Sequence, residues 1–157
     1  MIWKYISHIF NFVDPEISHN FAVLCIRFGI YPKVKTDYLP IKLKHLFFKN
    51  PIGLAAGFDK NGLIMQQISN LGFGFSEIGT VTPIEQYGNI KPRIFRLKED
   101  QAIINRNGFN NQGMLKIKKR LRYYKNKPER DKSFVIGINI GPNKDSPNRI
   151  KDFKILV

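Results

Sequence analysis

The sequence predicts an α/β protein built on a parallel sheet, and two observations carry that prediction. First, short and almost continuous apolar segments, typical of strands buried on both faces, occur at "PIGLAAGF", "GFSEIGTV" and "FVIGINIG". Second, segments with helical spacing separate them, which gives the order strand–helix–strand–helix–strand. The length of 157 residues suffices for one ordinary domain with a hydrophobic core.

The first thirty residues predict two amphipathic helices. In the first, Trp3, Phe10 and Phe12 widen an apolar side that recurs at helical intervals through Ile2, Ile6, Ile9 and Val13. Asp14-Pro15-Glu16 then supplies an N-cap, a first-turn proline and a first-turn acid for a second helix. That helix ends near Gly29 and carries on one side Ile17, Phe21, Leu24 and Phe28. Such helices either lie in a membrane interface or pack on the rest of the chain, and the spacing leaves both open.

The remaining elements follow in order. The polar segment "YPKVKTDYLP" predicts a linker, and the alternation in "IKLKHLFF" predicts a small strand pair. The segment "NGLIMQQISNLG" predicts a helix capped by Gly72, and "RIFRLKEDQAIIN" predicts a hairpin. A long basic helix follows, with Met114, Ile117, Leu121 and Tyr124 inward and Lys116, Lys118, Lys119 and Arg122 outward.

Charge and composition narrow the classes of protein. A formal net charge of +14 predicts attraction to anionic partners, although the lysines are scattered and are also consistent with an unspecialised basic surface. The single cysteine, Cys25, excludes an intrachain disulfide and lies in an apolar run typical of a core position. We expect no bound metal, because His8, His19 and His45 lack metal-ligand spacing. No apolar stretch is long enough to span a bilayer.

Polar side chains stand where each predicted buried strand ends. Asp59 and Lys60 follow the first strand, Thr80 follows the second, and Asn139 ends the third. Ligands bind at the carboxyl ends of parallel strands, and small residues there leave room for a flat ligand: Ala55, Ala56, Gly57, Gly79 and Gly141. Ordinary strand–helix turns use the same residue types, but three aligned turns favour a binding site.

The segment "INRNGFNNQG", residues 104–113, concentrates four asparagines beside an arginine and a phenylalanine. Amide side chains offer both donors and acceptors and stay uncharged at neutral pH. They are therefore suited to a ligand with amide edges.

Four segments together closely resemble the class 2, membrane-associated dihydroorotate dehydrogenases: "NPIGLAAGFDKNG", "GFGFSEIGTVTPIEQYGNIKPRIFRL", "AIINRNGFNNQG" and "GINIGPNKDS". The resemblance includes the "DPE" junction and covers essentially the whole chain. It implies the first part of a (β/α)8 TIM barrel, preceded by a two-helix membrane-associated hairpin. It also implies an FMN-dependent oxidoreductase of pyrimidine biosynthesis that oxidises dihydroorotate to orotate and passes the electrons to a membrane quinone.

The resemblance also implies roles for individual residues. Expected contacts to FMN are Ala56, Gly57, Phe58, Asp59, Lys60, Thr80 and Asn139. Expected contacts to the substrate are Lys60, Asn105, Arg106, Asn107, Gly108 and Phe109. His19 and Arg96 match polar positions of the quinone site, with Arg96 as a donor to a quinone carbonyl.

The same resemblance divides the chain into two regions. Residues 1–30 are expected to form the helical hairpin that provides the quinone tunnel and the membrane contact, and residues 31–157 the beginning of the FMN-binding barrel. The expected location is peripheral, on the cytoplasmic face of a bacterial-type inner membrane. The expected partners are dihydroorotate or orotate, a quinone and an anionic membrane surface, without nucleic acid.

Two departures from the family pattern stand out. Asn107 occupies a position where the family usually carries a larger Met- or Tyr-like residue. In addition, the later barrel segments have no counterpart here, and the family's serine base is matched by none of Ser69, Ser76, Ser133 and Ser146. The resemblance therefore implies no catalytic residue within residues 1–157 and a serine base beyond Val157.

We accordingly expect an N-terminal fragment that is inactive alone. Two alternatives remain open at this stage: a small basic nucleic-acid-binding protein and a non-catalytic membrane-bound remnant.

Overall fold

The computed structural model describes residue 10, residues 12–34 and residues 39–157. Most of the first predicted helix, including Ile2, Ile6 and Ile9, lies outside these residues. The helices are α1 (Pro15–Arg27), α2 (Met65–Ile68, continued by a 3-10 turn over Ser69–Leu71), α3 (Gly113–Asn126) and α4 (Arg149–Leu156). The strands are β1 (Ile41–Leu43), β2 (Leu46–Phe48), β3 (Gly53–Leu54), β4 (Phe75–Val81), β5 (Ile94–Leu97), β6 (Ala102–Asn105) and β7 (Val135–Ile140).

The central sheet is parallel, with the strand order β3-β4-β7. Gly53 pairs with Phe75, and Ser76 pairs with Ile136, so β4 lies between the other two strands. This confirms the predicted parallel α/β arrangement. Strand β3 is shorter than its apolar run, because the chain leaves the ladder after Leu54 and turns through Gly57 at a φ of 104°.

Two apolar clusters fill the interior. One joins α1, α2 and the start of β7 through Val23, Ile26, Ile64, Ile68 and Phe134. The other joins α2, β4 and α3 through Met65, Ile78, Val81, Ile117 and Tyr124, with Met114 and Leu121 packed against it. The predicted inward face of the basic helix is therefore confirmed.

The two predicted strand pairs form antiparallel hairpins, β1–β2 and β5–β6. Gly72 ends the 3-10 turn in the left-handed conformation, with a φ of 91°, as the sequence predicts.

Helix α4 follows β7 and packs only lightly on the rest of the chain. Asn148 caps its N-terminus, because the Asn148 side chain accepts a hydrogen bond from the Lys151 amide at 2.9 Å. Val157 follows its last residue, donates its amide to the Phe153 carbonyl at 3.2 Å and has an exposed side chain. Leu156 packs against the second apolar cluster.

Helix α1 begins as predicted but directs an apolar side outward. The Asp14 carboxylate accepts hydrogen bonds from the amides of Glu16 (2.9 Å) and Ile17 (3.0 Å), which caps the helix. Val23 and Ile26 face the core. The predicted apolar side is instead between 47% and 72% exposed and consists of Ile17, Phe21, Leu24 and Phe28. We call these four residues the outer stripe of α1.

No helix of the described residues is both long and apolar enough to cross a bilayer.

Candidate active site

The carboxyl ends of the parallel strands come together through hydrogen bonds. The Gly57 amide donates to the Gly79 carbonyl at 2.8 Å, and the Gly79 amide donates to the Asp59 carbonyl at 3.2 Å. The Thr80 hydroxyl donates to Asn139 Oδ1 at 2.7 Å, which links β4 to β7. The three strand ends predicted to form a site are therefore adjacent in space.

A cavity of about 390 Å³ opens at this edge of the sheet. It combines small residues of the β3 and β4 ends with the amide-rich segment after β6. Its lining residues are Ala56, Gly57, Lys60, Gly79, Thr80, Asn105, Asn107, Gly108, Phe109 and Asn110. Most of the residues expected at the flavin and most of those expected at the substrate thus meet around one space.

Gly79 keeps β4 and β7 close at the cavity. Its φ is 108°, and a Cβ atom there would lie 2.5 Å from the Asn139 carbonyl oxygen. Both the conformation and the space therefore require glycine. The close approach places Thr80 and Asn139 side by side at the cavity edge.

Lys60 brings a partly buried positive charge to the cavity. Its ammonium donates to the Gly57 carbonyl at 2.7 Å and lies 3.3 Å from His19 Nε2. Burial lowers the pKa of Lys60, while the carboxylate of Glu16 raises it. An ammonium in this position attracts an anionic ligand.

The side chains of Phe58 and Asp59 lie on the α1 side of the same loop. The Asp59 carboxylate is buried and accepts hydrogen bonds from the amides of Leu63 (2.8 Å) and Ile64 (3.0 Å). Burial raises the pKa of Asp59, and these backbone donors lower it. The Phe58 ring meets the His19 ring edge-on at 5.2 Å. Both side chains therefore shape the loop rather than line the cavity.

The asparagines of the motif divide into two groups. Asn105 and Asn107 line the cavity and are joined by a hydrogen bond of 3.1 Å. Asn111 is buried elsewhere. Its amide group donates to Thr82 Oγ1 and to the Phe109 carbonyl, both at 2.8 Å. Its Oδ1 accepts from the Gly113 amide at 2.8 Å and from the Thr82 amide at 3.2 Å. Asn111 is thus a structural residue.

Arg106 points away from the cavity, unlike its neighbours in the motif. Its guanidinium donates to the Pro92 carbonyl at 3.1 Å and lies 5.6 Å from the centre of the Phe95 ring. The backbone amide of Arg106 donates to the Arg93 carbonyl at 2.8 Å, which braces the segment against β5.

Sequence reasoning missed the amides that brace the cavity. Gln86 donates to the Gly108 carbonyl at 2.9 Å, and its Oε1 accepts from Asn143 Nδ2 (3.1 Å) and from the Lys144 amide (2.7 Å). Asn110 lines the cavity directly but was not among the expected contacts. The asparagine-rich composition of the motif was the one signal that could have indicated Asn110. The contacts of Gln86 had no such signal, because they join residues distant in sequence.

No serine lines this cavity among the residues that the structure describes. Ser76 is buried within β4, and Ser133 bonds to the Asp131 carboxylate in the loop before β7. The expectation that residues 1–157 contain no serine base, and that this base lies beyond Val157, stays a prediction.

His19 and Arg96 are the residues expected at the quinone. His19 lies on α1 and Arg96 on β5, and their side chains have different polar partners. Arg96 donates to the Val13 carbonyl at 2.6 Å and to Ser18 Oγ at 3.3 Å. Burial, followed by the charge of Lys60, lowers the pKa of His19.

An ion pair holds α1 against the loop before β5. Arg93 donates through Nε to Glu16 Oε2 at 3.1 Å and through Nη2 to Glu16 Oε1 at 2.5 Å. It also donates to the carbonyls of Tyr87 (2.6 Å) and Asn89 (3.1 Å). These charge-assisted bonds lower the pKa of Glu16, with Lys91 contributing at 3.3 Å.

No cluster of His, Cys, Asp and Glu suited to a metal ion occurs within residues 12–34 and 39–157.

A parallel sheet with a ligand-sized cavity at its carboxyl edge fits part of an α/β barrel, in which ligands bind at the same edge. A family model described as dihydroorotate dehydrogenase matches residues 38–157, so the chain belongs to the dihydroorotate dehydrogenase family. Its similarity to curated relatives of the quinone-dependent enzyme supports class 2 as the subgroup.

Two of these relatives are named dihydroorotate dehydrogenase (quinone). The protein from Bartonella tribocorum is 50% identical over 145 residues, which cover 91% of this chain and 39% of the relative. The protein from Parvibaculum lavamentivorans is 44% identical over 149 residues, which cover 93% of this chain and 41% of the relative. The chain therefore spans about two fifths of the length of these relatives.

A crystal structure of the Eimeria tenella enzyme in complex with ferulenol superposes with a TM-score of 0.82 at 42% identity. The match covers 91% of this chain and 40% of that one. The mixed α/β structure thus fits part of a TIM-barrel fold.

Proposed function

We propose that the chain provides the flavin and substrate side of an enzyme that oxidises dihydroorotate to orotate in pyrimidine biosynthesis, with a membrane quinone as the final electron acceptor. The observation that carries this proposal is one cavity of about 390 Å³ at the strand ends. It is lined both by residues expected at FMN and by residues expected at the substrate.

The cavity suits the FMN ring. Ala56, Gly57 and Gly79 leave a surface without bulky side chains, and Thr80 with Asn139 provides polar atoms at its edge. Lys60 adds a positive charge, which favours a reduced, anionic ring. When bound, FMN would supply the acceptor for the electrons removed from the substrate.

The substrate is expected beside the amide-rich segment. Dihydroorotate is a cyclic diamide with a carboxylate, and its donors and acceptors suit the paired amides of Asn105 and Asn107. Lys60 offers a charge for the carboxylate. Arg106 would contribute through its backbone, since its side chain is engaged at Pro92 and Phe95.

The region of residues 1–30 is proposed to make the membrane and quinone contacts at a peripheral site. The outward orientation of the outer stripe of α1 supports this assignment, because an interfacial helix needs an exposed apolar side. Arg96 has five N–H donors, of which Val13 and Ser18 occupy some, so others remain for a quinone carbonyl. His19, on α1, would link the quinone site to Lys60, whose ammonium lies 3.3 Å from His19 Nε2.

Activity is tested in an enzyme made by joining residues 1–157 to the remaining part of the Bartonella tribocorum relative. We expect bound flavin and dihydroorotate-dependent reduction of a quinone. Lys60→Ala should lower kcat/KM by at least about tenfold, because a hydrogen bond to a charged group contributes about 1.5–3 kcal/mol. Lys42→Ala, at an exposed lysine of β1, is the matched control. Equal activity of the two variants, or no dihydroorotate oxidation by the parent, would contradict the proposal.

A further inference from the structure

Asn105 and Asn107 form a side-chain pair at the cavity wall. Asn107 Nδ2 donates to Asn105 Oδ1 at 3.1 Å, and the backbone amide of Asn107 approaches the same oxygen at 3.5 Å. Both residues line the cavity of about 390 Å³. The oxygen of Asn105 is therefore directed towards Asn107.

The backbone explains why the two side chains meet. Asn105 is the last residue of β6, and alternate residues of an extended segment face the same side. Arg106, between them, directs its side chain to the opposite side, onto Phe95 and Pro92. Hydrogen bonds from the Arg106 amide to Arg93 and from Gln86 to the Gly108 carbonyl brace the segment at both ends.

The pairing determines which end of each amide is available. With Oδ1 of Asn105 engaged by Asn107, its Nδ2 is the end left to donate, and it has no hydrogen-bond partner among the described residues. Asn107 is in the complementary state: its Nδ2 is engaged, whereas its Oδ1 is buried without a partner in that same part of the chain. A buried unpaired acceptor is costly unless a ligand or water donates to it.

We propose that Asn107 is a positioning residue that fixes the Asn105 carboxamide with its NH2 group available to the ligand, while its own Oδ1 accepts from a ligand N–H. The two residues together would present one donor and one acceptor to a cyclic amide. The identity of that ligand as dihydroorotate rests on the proposed function.

The first test is a double-mutant cycle in the joined enzyme, with dihydroorotate as the probe. Asn107→Ala should raise KM about 3- to 10-fold while leaving the flavin spectrum unchanged, because neutral hydrogen bonds of this kind are lost. If Asn107 acts largely through Asn105, Asn107→Ala should raise KM by less than about 3-fold in a protein that already carries Asn105→Ala. Fully multiplicative effects of the two substitutions would overturn the positioning role. Asn107→Met provides a second variant if the alanine variant folds poorly.

The second test needs no substrate and uses the 157-residue chain. In ¹⁵N NMR spectra, Asn107→Ala or Asn107→Met should shift the side-chain NH2 resonances of Asn105. Asn70→Ala removes an asparagine that donates to the Tyr31 hydroxyl at 2.9 Å, away from the cavity, and should leave those resonances in place. Unchanged Asn105 resonances in both Asn107 variants would refute the pair. A joined enzyme that fails to oxidise dihydroorotate, with the NMR shifts present, would refute the proposed function instead.

Discussion

Lys60 connects the cavity to α1 through one ammonium group. His19 Nε2 lies 3.3 Å from Lys60 Nζ, and the His19 ring meets the Phe58 ring edge-on at 5.2 Å, so the imidazole has contacts on two sides. Burial and the Lys60 charge lower the pKa of His19, and Glu16 opposes them. Since the folded protein disfavours the imidazolium, His19 takes up a proton more readily in the unfolded chain.

This difference predicts a pH dependence of stability. As pH falls below the ordinary histidine pKa of 6.5, the unfolded chain protonates at His19 before the folded chain does. The free energy of unfolding should therefore decrease from about pH 6.5 downwards. His19→Gln should flatten that slope, measured by urea denaturation between about pH 7.5 and about pH 5. A slope identical in both proteins would exclude His19 as its source.

A second prediction at the residue scale separates the asparagines. Asn111→Ala should lower the free energy of unfolding by about 1–3 kcal/mol, because it leaves buried amides such as that of Gly113 without an acceptor. Asn70→Ala, at an exposed hydrogen bond, should cost much less in the same denaturation experiment. Equal losses would show that Asn111 does not hold the loop together.

At the scale of elements, α1 is attached to the rest of the described chain by ionic contacts as well as by apolar packing. The side chains of Glu16 and Arg93 are only 13% and 6% exposed, so their ion pair is largely removed from water. Removing one member of a buried pair costs about 3–5 kcal/mol, since the other charge is left without a partner.

Arg93→Met should therefore loosen α1 selectively. Hydrogen exchange of the α1 amides should accelerate, whereas protection in β4 should persist because its ladder with β7 does not involve Arg93. Lys91→Met is the matched control, since Lys91 lies 3.3 Å from Glu16 but is 63% exposed. Uniform acceleration across α1 and β4 would indicate global destabilisation instead.

Some features of these elements could be predicted from the sequence, and others could not. Local periodicity of apolar residues predicted the buried strands, both hairpins and the inward face of α3. The structure has the same elements. The packing face of α1 could not be predicted in this way. The helix has two apolar sides, the outer stripe and the side with Val23 and Ile26, and helical spacing does not decide which of them faces the core. Strand-end residues such as Lys60 were predictable from the parallel-edge rule. The bracing amides Gln86 and Asn143 were not, since they join loops distant in sequence.

At the scale of the whole molecule, the net charge of +14 and the outer stripe of α1 favour the same partner. Anionic lipid attracts a basic protein, and the interface accepts exposed apolar side chains. The stripe is therefore the part of this surface that a membrane contact should bury.

We predict that Phe28→Asp weakens binding to phosphatidylglycerol-containing vesicles by at least about tenfold, because burial of a phenylalanine contributes about 1.5–3 kcal/mol. Sedimentation with vesicles at physiological salt measures this. Leu115→Asp is the control: Leu115 is 68% exposed and Phe28 72%, but Leu115 lies on α3. Equal weakening by both variants would assign the binding to net charge alone.

The register of β4 against β7 is irregular where the interior adjoins the cavity. Pairing with β7 shifts between Ile78 and Val81, around Gly79. These two residues are three apart, an odd separation that would place them on opposite faces of a regular strand, yet both belong to the same buried cluster. The shift thus reverses the alternation: Val81 takes the inward place that Thr80 would otherwise hold, and Thr80 is free to face Asn139. A single step along the chain therefore separates the sealed interior from the space open to a ligand.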